Sequence, residues 1–244
     1  MPRAVKGARV PLADLQRALG ALVAARAAGR AGASGVPVDL DLTVEEREWL
    51  GRLTGSPGFQ VTCDIQRWWR ETKLRWTTRL TLAALGREEQ GDVIAEYLAA
   101  VPCASLFFAT EASAFLDYVA RARGERPHLA AIARFERALL RAREAEIEPA
   151  EPQPGALGGC VQDAIHAHPA ASMVEFAAPP ERLLGALLAR QPLPPVESDR
   201  FPILVAPGLT HLWRPATLDE ARVFEAHRGR QAPMVRRRHS FRNQ

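Results

Sequence analysis

A single change of period divides this chain and limits the folds open to it. From Pro11 to about Ala145, apolar residues recur at three- and four-residue spacing, which gives helices one apolar face. Leu12, Leu15, Leu19, Leu22 and Val23 form the first such stripe. Phe108, Ala112, Phe115, Leu116 and Val119 form a later one, and Leu129, Ile132, Phe135, Leu139 and Leu140 the last. Between them, Gly29 to Gly35, Ser56-Pro57-Gly58, Gly86 and Pro102 read as breaks, with a long helix expected from Asp64 to Leu85. Thr43-x-x-Glu46 is a capping box that opens a short helix, and Pro127 suits a first helical turn. Six or so helices with short connections predict a bundle-like or orthogonal helical domain.

Glu148–Gly159 is rich in Pro, Gly and acids and has no period, a linker composition. Beyond it the texture differs. Met173–Phe176 alternates like a strand, and Pro179-Pro180 starts a helix that the Pro192–Pro195 run ends. Ile203-Leu204-Val205 is a second strand run, Pro207-Gly208 a turn, and His211–Arg214 a third extended piece. Thr217-x-x-Glu220 is another capping box. The expectation is an α+β protein: a helical domain over 1–147, a linker over 148–160, a small α+β domain over 161–228, and a basic disordered tail over 229–244.

Charge is concentrated at the end. The formal net charge is +4, but the last seventeen residues, from Arg228, hold six arginines and no acid. The remainder carries 26 basic and 28 acidic residues, so a broad nucleic-acid-binding face is not required. Cys63, Cys103 and Cys160 are odd in number and widely spaced, which suits a reducing cytoplasm better than a disulfide framework. No apolar run approaches the roughly 18–20 residues that span a bilayer. The Arg-rich, acid-poor start has a transit-peptide composition, yet Pro11 through Arg26 also reads as a first helix, the reading preferred here.

Signatures of catalysis are missing. The chain has no GxSxG, HExxH, Walker loop or GxGxxG. His166-x-His168, near Asp163 and Cys160, is the one close histidine pair, and without a second ligand cluster it reads as a solvated pair in the linker. Glu144, Glu146 and Glu148 cluster without a definable acid/base geometry. No catalytic residue and no metal ligand is assigned.

Two surfaces invite a partner. In Asp64–Leu85, the spacing places Ile65, Trp69 and Trp76 on a core stripe, leaving Trp68 and the arginines, Arg70 and Arg75 among them, for a partner surface. Phe107 joins that set, because adjacent aromatics cannot both face one core and Phe108 fits the stripe. Interleaved Trp and Arg also suit nucleic acid, so a nucleic-acid-binding regulator using this helix and the Arg236-Arg237-Arg238 tail is the alternative reading.

The segments FFATEASAFLDY (Phe107–Tyr118), HLAAIARFERALLRA (His128–Ala142) and ILVAPGLTHLWRPAT (Ile203–Thr217) resemble the partner subunits of multinuclear non-haem iron oxidative enzymes, most of all those of 3-thiaglutamate biosynthesis. The resemblance implies a non-catalytic companion of a TIM-barrel iron enzyme. Such a companion binds the leader of a ribosomally made precursor peptide and presents its C-terminal cysteine end. Iron is then expected in the enzyme, with no cofactor in this chain. The leader adds a strand beside a helix. Mapped here, the edge lies near Thr210–Arg214 and the helix near Leu218–His227, with Leu212, Arg214, Arg222 and Phe224 as candidate peptide contacts.

Overall fold

The computed structural model describes residues 12–27, 40–101, 108–147, 165–166 and 168–235. Among them are nine helices and three strands. The helices are α1 (Leu12–Ala27), α2 (Val44–Thr54), α3 (Pro57–Thr77), α4 (Arg79–Leu85), α5 (Arg87–Ala100), α6 (Phe108–Ala122) and α7 (Pro127–Ile147). Then follow β1 (Ser172–Phe176), α8 (Pro180–Leu188), β2 (Phe201–Val205), β3 (Trp213–Pro215) and α9 (Leu218–Val235). The protein is mostly helical with a small antiparallel sheet, in line with the α+β expectation.

Two compact units make up the chain. The first takes residues 1–76 and 91–111, the second 77–90 and 112–244. This grouping differs from a boundary at 148–160, because α7 packs directly on the sheet. The expected linker itself lies outside the described residues. In the first unit, Ala18 and Leu22 of α1, Leu50 of α2, and Phe59 and Cys63 of α3 share one core with Leu40 and Leu42. Thr43 caps α2 with the full capping box: its hydroxyl accepts from the Glu46 N–H, and its own N–H donates to the Glu46 carboxylate at 2.8 Å.

The second unit is layered. The sheet order is β1-β2-β3, both pairs antiparallel, with Val174 opposite Ile203 and Leu204 opposite Arg214. On one face, Ile132, Phe135 and Ala138 of α7 and Leu183 and Leu187 of α8 meet Val174, Phe176, Ile203 and Val205. On the other, Phe224 of α9 meets Ala171, Leu204 and Ala206. A central strand covered on both faces must be apolar throughout, and β2 is buried from Pro202 to Val205.

Several boundaries differ from those expected. Ser56-Pro57-Gly58 starts a helix instead of turning the chain: Pro57 is the first residue of α3, and the Ser56 hydroxyl accepts the Phe59 N–H at 3.2 Å. The Asp64–Leu85 helix is two helices, broken at Thr78. Thr78 does not cap α4 with its side chain. Glu136 of α7 does so from a distance in sequence, accepting the N–H groups of Leu80 and Thr81 at 2.9 and 2.8 Å. At the other end, α9 continues to Val235, so the first part of the tail expected to be disordered is helical; 236–244 lie outside the described residues.

Candidate functional site

Strand edges are decided by backbone geometry. In an antiparallel ladder, alternate residues direct their N–H and C=O to opposite sides. Ala216 donates to the Pro202 carbonyl and Ala206 to the Leu212 carbonyl, both at 2.9 Å, so Pro202, Leu204 and Ala206 are turned toward β3. Their partners across β1, Glu175 and Met173, therefore direct N–H and C=O away from the sheet. On the far side of the sheet, the outward residues of β3 are Trp213 and Pro215. Pro215 has no N–H, and its carbonyl accepts from Arg214 at 3.0 Å. The β1 edge thus offers two complete donor–acceptor residues, and the β3 edge one.

A groove runs beside β1. Arg134, Arg137, Ala138 and Arg141 of α7 line it with Ser172, Met173 and Val174. Its volume of about 190 Å³ is below the roughly 300–1,000 Å³ of small-molecule pockets and suits single side chains. A separate, wider hollow of about 490 Å³, which also has Arg141 in its wall, is bordered by Glu144, Ile147, His168 and Pro169. Arg137 is held at 2.6 Å from Asp117, yet its Nε is buried without a hydrogen-bond partner. Arg141 donates to the Pro169 carbonyl at 3.2 Å.

The residues expected to contact peptide are mostly engaged within the protein. Phe224 is buried between α9 and the sheet, with the His166 ring edge-on at 5.9 Å and the Arg228 guanidinium over its face at 5.4 Å. As a core side chain it cannot present itself to a partner, which corrects that assignment. Arg214 is half-buried and forks onto Glu220, with Nη1 2.9 Å from Oε2 and Nη2 on Oε1. Leu212 sits in the left-handed region at φ 62° and packs against the α7-side core. Arg222 alone is exposed, paired with Asp219 at 3.1 Å. The extended piece expected at Thr210–Arg214 is a turn as far as Leu212, with β3 starting at Trp213.

Glu220 holds the second unit's helix to its sheet. The Thr217 hydroxyl caps the Glu220 N–H at 3.1 Å, as the capping box requires. Its carboxylate, however, turns to Arg214 and to His166 Nε2 at 2.9 Å instead of back to Thr217. Chiefly through the Arg214 hydrogen bond, and with help from His166, the carboxyl is held below the usual carboxylate range. His168 is likewise engaged: its Nδ1 accepts the Ala170 N–H at 3.1 Å, and burial, with Arg228 nearby, lowers its pKa. Neither histidine is the solvated linker residue expected. Arg228 ties α9 to the carbonyls of Pro169, at 3.1 Å, and Ala171. The signal for this latch was present in Thr217-x-x-Glu220, but the box motif pointed Glu220 at the wrong partner.

Of the α3 expectations, the surface position of Arg70 and the core positions of Ile65, Trp69 and Trp76 are overturned, while Trp68 and Arg75 do lie at the surface. Arg70 is 2% exposed and donates to Glu111 at 2.9 Å and to the Val101 carbonyl at 2.8 Å, so it is no surface residue. The Tyr97 hydroxyl donates to the same Glu111 carboxylate at 3.1 Å, and burial beside that carboxylate drives the phenol pKa well up. Ile65, Trp69 and Trp76, expected in the core, are exposed. Trp68 and Arg75 are exposed as well, Arg75 paired with Glu71 at 2.8 Å. Phe107 lies outside the described residues.

Among the described residues, no three His, Cys, Asp or Glu side chains converge as a metal site, and no helix is long and apolar enough to cross a membrane. Comparison with protein-family models, with curated proteins and with solved structures finds no match for the chain.

Proposed function

We propose that this chain is a non-catalytic peptide-binding partner of a TIM-barrel multinuclear iron enzyme, and that it holds the leader of a ribosomally made precursor while its cysteine end is oxidised elsewhere. The observation that supports this reading is the open β1 edge, where Met173 and Glu175 direct free backbone groups outward beside the arginine-lined groove of α7. Strand addition draws its affinity from such groups and its selectivity from adjoining side-chain recesses. The edge favoured is β1, because at β3 Pro215 lacks a donor and Arg214 occupies its carbonyl.

Glu175→Pro tests the edge cleanly. It removes an outward N–H, leaves the β1–β2 ladder bonds in place, and gives up only a solvent-exposed ion pair with Arg200, which contributes little to stability. The expected result, read by titrating the fluorescently labelled precursor leader into the purified chain, is at least a tenfold weaker Kd with unchanged thermal stability. Equal affinity would remove β1 from the reading. Co-purification with a barrel iron enzyme encoded beside this chain tests the wider role; absence of any such complex would sink it.

The alternative, a nucleic-acid-binding regulator, is favoured by the exposed tryptophans of α3 interleaved with Arg67 and Arg75. It predicts binding that weakens steeply with salt as counterions are released. A gel shift at two salt concentrations separates the two readings.

A further inference from the structure

Helix α3 is amphipathic the wrong way round for an isolated molecule. Its inward face carries Phe59, Cys63 and Leu74, but also the charged Arg70 and Lys73, all buried. Its outward face carries Val61, Ile65, Trp68, Trp69 and Trp76, with Trp68 60% and Trp76 72% exposed. These outward residues recur at three- and four-residue spacing with Thr72 among them, a stripe about 22 Å long at 1.5 Å per residue. Since a buried tryptophan covers about 150–250 Å², the stripe leaves on the order of 500 Å² of apolar surface in water. That is more than half of the roughly 800 Å² each partner contributes to a stable interface.

We infer that this face is an isologous dimer interface, in which α3 packs antiparallel against α3 of a second copy. The stripe is self-complementary in shape. About a twofold axis between Trp68 and Trp69, those two rings meet at the centre, while Val61 meets Trp76 and Ile65 meets Thr72, so a smaller side chain opposes a larger one in the outer layers. Its flank is self-complementary in charge. Asp64 lies on the same flank as the Glu71–Arg75 pair, so an antiparallel partner brings Arg75 of the second copy beside Asp64. The dimer is independent of peptide binding at β1.

Sedimentation equilibrium of the full chain tests it. The wild type is expected to be a dimer at micromolar concentration. Ile65→Glu and Trp76→Glu, at exposed positions that leave the monomer folded, should each weaken association at least tenfold, whereas Glu181→Arg, at an exposed position of α8, should not. Asp64→Arg and Arg75→Asp should each weaken the dimer, and the two together should restore it. A wild type that is monomeric throughout, or a dimer indifferent to all these changes, overturns the inference. So does a monomer whose Ile65→Glu variant loses a co-purifying iron enzyme, since the face would then belong to that enzyme.

Discussion

Arg70, Tyr97 and Glu111 form a cluster whose parts only make sense together. A guanidinium removed from water costs several kcal/mol unless its hydrogen bonds are met, and here Glu111 and the Val101 carbonyl meet them, with the Tyr97 ring 5.6 Å from the guanidinium carbon. Glu111→Ala should therefore strand a buried cation and cost about 3–5 kcal/mol, measured by urea unfolding. Conversely, replacing both partners, Arg70→Met with Glu111→Leu, should recover most of that loss. Glu220 gives a pH dependence of definite sign. Because its folded pKa is depressed, its contribution is fully present above the unfolded carboxylate value and is lost as pH falls through the folded one. Glu220→Gln should flatten that acid limb in thermal melts taken from neutral to acidic pH, and an unaltered limb would show that Arg214 does not stabilise the charge.

At the scale of elements, α4 depends on a neighbour. Seven residues cannot sustain an isolated helix, and α4 lacks its own cap, so Glu136 satisfies two of its orphan donors from α7. Glu136→Ala should cost about 1–3 kcal/mol and speed amide exchange at Leu80 and Thr81 ahead of the rest of the second unit. Burial raises the Glu136 pKa despite those hydrogen bonds. Its proton-linked contribution is thus largest in acid and is lost as pH rises through the raised value, opposite in sign to Glu220. The positions of β1, β2, α7 and α8 were legible from period and punctuation, because Pro127, Pro179 and Pro180 mark starts that proline's fixed φ favours. The α3–α4 break was not, since Thr78 carries no breaker chemistry and the end is stabilised by a residue far along the chain.

For the molecule as a whole, the proposed division of labour makes a claim about metal. Purified alone under reducing conditions, the chain should carry far less than one iron per molecule by elemental analysis; stoichiometric iron would place chemistry in this polypeptide and overturn the proposal. What the sequence determined by itself was local: most of the helical segments, the alternation of β1, and the helix starts at Thr43, Pro127, Pro180 and Thr217, because those follow from backbone geometry and neighbours a turn away. It turned α3 the wrong way, with Ile65, Trp69 and Trp76 inward, since Phe59, Cys63, Arg70 and Leu74 form an equally helical stripe. Only the tertiary structure chose between those stripes, by placing Glu111 where Arg70 could be neutralised indoors. It likewise decided which strand edge stays open, because that depends on the side of the ladder each backbone group faces, and no single strand's residues carry that information.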